Sequence, residues 1–99
     1  MTDLFTQMIE AKAAFNADLD ANPNGGDLTT LRALEAAERA YFDAEAKARE
    51  AWEALPEGEA KDSAELNASD TMSENGVPNT NRLFFFEIAV RSYECLVNA

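Results

Sequence analysis

Apolar residues recur every three or four positions from the start of the chain. Leu4, Met8, Ala11, Phe15 and Leu19 fall on one side of a helix over about residues 3–21, with Phe5 and Ile9 widening the stripe. Thr2 or Asp3 can cap its first turn. The run Asn22-Pro23-Asn24-Gly25-Gly26 stops it, because proline disfavours a helical predecessor and glycine accepts positive φ. A second helix is predicted over about 28–55, started by Asp27, Thr29 or Thr30 and ended by Pro56 and Gly58. Its stripe is Leu31, Leu34, Ala37, Tyr41, Ala44, Ala48, Trp52 and Leu55. On the other face, Glu35 precedes Arg39, Asp43 precedes Lys47 and Glu45 precedes Arg49 by four residues, the order that supports a helix. This helix outruns the first, so the Trp52 end needs cover from elsewhere.

From 56 to 81 the large apolar residues thin out and Glu, Asp, Ser, Asn and Gly take over, with Lys61 the only base. This composition predicts a mobile acidic linker with at most a short helical turn near 63–68. The last segment, about 82–98, holds Leu83, Phe84, Phe85 and Phe86 in a row. Its residue types suit a strand, but Glu87, Arg91, Glu94 and Asn98 form one narrow polar stripe only on a helix. Asn79, Thr80 or Asn81 would cap that helix. Phe85, Ala89, Tyr93 and Leu96 point away from the stripe and Phe86 and Ile88 flank them, whereas Leu83 and Phe84 lie beside the charges. The expected fold is therefore all-α: a single small domain, 1–99, of an antiparallel helical hairpin plus a C-terminal third helix after a long acidic linker. Its expected core is Phe5, Met8, Phe15, Leu19, Leu31, Leu34, Tyr41, Trp52, Phe85, Ala89, Tyr93 and Leu96.

Charge narrows the function. The chain of 99 residues carries 19 acids against eight bases, a net charge of -11, and no histidine. Such a balance opposes direct binding to nucleic acid or to an anionic membrane, and makes a basic surface on another macromolecule the natural counterpart. The single cysteine, Cys95, excludes an intramolecular disulfide and suits a reducing, cytoplasmic compartment. Neither a secretory leader nor an apolar run long enough to span a membrane is expected.

Candidate chemistry is sparse. Asp20-Ala21-Asn22-Pro23-Asn24-Gly25 matches the first half of a calcium-binding loop, but Leu31 stands where the closing glutamate should be, so the segment reads as a turn. Without histidine, a second cysteine or a Gly-rich phosphate loop, the chain offers no nucleophilic triad, zinc site or nucleotide cradle. No catalytic activity, cofactor or metal is expected. Carboxylates along the second helix, Glu35, Glu38, Asp43 and Glu45, could instead present charge to lysines and arginines that normally hold phosphates, with Leu83, Phe84 and Trp52 as apolar anchors. The interleaved Arg32, Arg39, Lys47 and Arg49 dilute that charge.

In size, acidity and lack of motifs the chain is similar in composition to small phage-encoded anti-defence inhibitors, anti-CRISPR proteins and DNA mimics among them. That resemblance carries no residues over. It implies a cytoplasmic protein that occupies, and inhibits, the basic, nucleic-acid-binding surface of a protein or ribonucleoprotein. One alternative is a structural protein whose aromatic C-terminal helix forms a homo-oligomer, and another is a sponge for a small apolar molecule.

Overall fold

The computed structural model describes residues 3–24 and 28–98. The expected Thr2 and Asp27 caps and the Gly25-Gly26 reversal lie outside the described residues. Those residues form four helices and no strand: α1 (Leu4–Ala21), α2 (Leu28–Glu53), α3 (Glu59–Glu74) and α4 (Arg82–Asn98). Three match the expected helices closely. The expected acidic linker is corrected, because most of 56–81 is α3. The chain divides into two compact units, the first ending at Asp43 and the second beginning at Ala44.

In the first unit Asp3 caps α1, its carboxylate accepting from the Thr6 amide at 2.7 Å. At the far end of α1, Asp18 accepts from the Asn22 side chain at 3.1 Å and from the Thr30 hydroxyl at 2.9 Å, which ties the end of α1 to the start of α2. The Phe5 ring lies 5.7 Å from that of Tyr41, which is buried. Cover is partial in this unit. Phe5, Met8, Phe15, Leu31 and Leu34 are half-buried. Leu19, expected in the core, is exposed in the last turn of α1.

The second unit has the fuller core. Trp52 from α2, Ala64, Ala68 and Met72 from α3, and Phe85, Phe86 and Ala89 from α4 form one buried cluster. Ala64, Ala68 and Ala89 are wholly inaccessible, and α3 and α4 approach closely across them. Small residues facing phenylalanines let the two helices interlock. The Asn67 side chain donates to the Ser92 hydroxyl at 3.1 Å across the same pair. Leu96, expected in the core, is exposed, since the cluster reaches no further along α4 than Tyr93.

Both ends of α3 are set by backbone chemistry legible in the chain. Gly58 precedes it at φ 148° and ψ -171°, a conformation open in practice only to glycine. Glu59 and Asp62 occupy its first turn, where the helix dipole favours anions. At the other end, Gly76 adopts φ 65°, its amide donates to the Ser73 carbonyl, and the Val77 amide donates to the Met72 carbonyl at 2.9 Å. This is a Schellman closure, completed by Val77 packing onto the core. Asn81 then caps α4, its side-chain oxygen accepting from the Phe84 amide at 3.2 Å.

Candidate protein-binding face

α3 is two-faced. Its inner side is Ala64, Ala68 and Met72, and Lys61 is buried with them. The Lys61 ammonium donates to the Leu55 carbonyl at 3.1 Å and to Glu57 at 2.9 Å, and sits 5.1 Å from the centre of the Trp52 ring. It thus satisfies a carbonyl just past the end of α2 while its charge rests over the indole. Glu57 remains in solvent.

With its only base turned inward, α3 shows Glu59, Asp62, Glu65, Asp70 and Glu74 to solvent, all exposed. Leu66 stands among them, 67% exposed. Asp62 and Asp70 lie one turn to either side of it, and Glu59 lies two turns away. The outward face of α3 is therefore an apolar tip ringed by carboxylates.

Two exposed bases of the second unit also lie over aromatic rings. The Arg82 guanidinium lies 4.3 Å from the centre of the Phe85 ring and 5.1 Å from that of Phe86, and Arg49 lies 5.6 Å from Phe86. Cations over ring faces are attracted by about 0.5–1 kcal/mol at exposed sites. The consequence is electrostatic segregation: several bases engage the aromatic core while the carboxylates of α3 face outward.

The residues expected to meet a partner are distributed differently. Glu35 and Asp43 are exposed and Glu38 is half-buried, all on the part of α2 in the first unit. Glu45 belongs to the second unit, is buried, and pairs with Arg49 one turn on. It is a structural charge, because an inward carboxylate held by a guanidinium offers little to a target. Trp52 is a core residue beneath Lys61, and its ring presents no outward anchor. Leu83 is half-buried, and Phe84 is half-buried against the core cluster.

A second feature of this unit is a groove of about 290 Å³ between α2 and α4. Its apolar walls are Ala48, Ala51, Phe86 and Val90. Glu87, Arg91 and Glu94 stand along its α4 side. Among the described residues, none of these three charges closes an ion pair within the chain, so the polar stripe of α4 is left open to solvent.

The α3 face was not among the expected binding residues. The signal was the spacing of Ala60, Ala64, Ala68 and Met72, each four residues apart, opposite the acids. No described helix is long and apolar enough to cross a membrane. No family model, curated protein or solved structure matches the chain.

Proposed function

We propose that the protein is a small binding protein that occupies a basic, nucleic-acid-binding surface of a protein or ribonucleoprotein and blocks it. The outward face of α3 makes the principal contact. The observation that carries this reading is the burial of Lys61, which leaves five exposed carboxylates on α3 with no exposed base among them. Charge of one sign on a helix held by a packed core is preorganised, so little ordering entropy is lost on binding. Leu66 supplies the apolar contact at the centre of the face. Glu35 and Asp43, exposed on the first unit, add to the negative charge of the chain.

The test begins by capturing partners from the native host and purifying the one retained. Binding of wild-type protein to that partner should weaken steeply with added salt and should displace the partner's own DNA or RNA. Asp62→Lys with Asp70→Lys reverses the charge on both sides of Leu66 and should weaken binding roughly a hundredfold, with helicity retained. Binding that ignores both salt and this double substitution contradicts the proposal.

A further inference from the structure

The geometry points to the outer face of α4 as the place where a second copy of this chain docks. The rest of the molecule opposes self-association, since a net charge of -11 makes two copies repel at most of their surface. α4 is the exception. As a helix it carries no net charge, Glu87 and Glu94 against Arg82 and Arg91, and with Arg82 over the aromatic rings its outer stripe keeps one base between two acids; together with α2 it borders the open groove. A basic partner finds better complementarity on α3, whereas a stripe of both signs edged with apolar surface suits its own copy.

The charge order on this face is self-complementary. Glu87, Arg91 and Glu94 read acid, base, acid along one side of α4. In an isologous pair every contact occurs twice, so two antiparallel α4 helices set Arg91 of each copy against Glu87 or Glu94 of the other. Apolar contact comes from Val90, half-buried at the groove, and from Val97, which is 50% exposed near the end of the helix. A helix of 17 residues is roughly 25 Å long. Pairing along it buries less than the roughly 1,600 Å² of a standard interface, so the dimer is weak and concentration-dependent.

This inference is independent of the α3 reading, since its test substitutes residues of α4 alone. Sedimentation equilibrium of the full chain should show a monomer–dimer equilibrium. Arg91→Glu makes the stripe uniformly acidic and should raise the dissociation constant at least about tenfold. Combining Glu87→Arg, Arg91→Glu and Glu94→Arg inverts the stripe, restores complementarity, and should return the constant to within about threefold of wild type. All three positions are exposed, and thermal melting checks that each variant is folded. A wild-type chain monomeric to about 1 mM overturns the inference. So does a dimer indifferent to Arg91→Glu, or one that the triple inversion fails to restore.

Discussion

Ala68→Asp is expected to unfold much of the second unit, while Leu66→Asp, two residues earlier, leaves it intact. Ala68 is wholly inaccessible, in the cluster with Met72, Phe85 and Ala89. A carboxylate there replaces a methyl group with no accessible surface, and the buried base of the same helix, Lys61, is already held by the Leu55 carbonyl and Glu57, so burying the uncompensated group costs about 3 kcal/mol or more. Leu66 is 67% exposed and its loss should change stability by no more than about 0.5 kcal/mol. The pair discriminates sharply, because in a mobile acidic linker both substitutions would be neutral. Urea denaturation read through Trp52, the only tryptophan of the chain and a member of the same cluster, measures both variants on one scale.

Phe85→Ala is expected to cost about 3–5 kcal/mol, a large part of the stability available to a chain of this size. Phe85 is 6% exposed, its ring 5.5 Å from that of Phe86, with the Arg82 guanidinium over its face. Truncation therefore opens a cavity, breaks an edge-to-face contact and removes a cation's partner together. Phe84, its neighbour, is only half-buried at the edge of the cluster, and Phe84→Ala should cost roughly 1–2 kcal/mol. The same Trp52-monitored denaturation separates them. Equal losses at the two positions would place the core boundary wrongly within the aromatic run.

Three helices were legible because large side chains mark their inner faces. Leu4, Met8 and Phe15 marked α1, Tyr41 and Trp52 marked α2, and the polar stripe from Glu87 to Asn98 marked α4. α3 was hidden because its inner face is alanine. Alanine adds little hydrophobic contrast, and the one leucine of the segment, Leu66, points to solvent. The stripe works because its partners are the phenylalanines of α4, so the helix becomes visible only when both faces are considered together. The helix ends were nevertheless written locally, in Gly58 before it and in Gly76, Val77 and Pro78 after it.

Burial of charge was harder to foresee. Glu45 and Lys61 stand in runs that look solvated, although Glu45, four after Tyr41 and seven before Trp52, falls inside the apolar stripe of α2 and Asp43 falls opposite it. Three-dimensional partners decide the matter: Arg49 holds Glu45, while the carbonyl of Leu55 and the ring of Trp52 hold Lys61. The acidic face consequently shifts from α2, where bases are interleaved, to α3, where the base is withdrawn. Trp52 moves the other way, from a candidate anchor into the core cluster.

The proposed binding face requires the segment 59–74 to be a packed helix that displays its acids rather than a solvated tether. Amide hydrogen exchange on the full chain tests this most directly. The amides of Ala64, Ala68 and Met72 should be protected alongside those of Phe86 and Ala89 in α4, because the two helices share one core and open together. Exchange of the 62–74 amides at the rate of an unstructured chain, with α4 still protected, would contradict it.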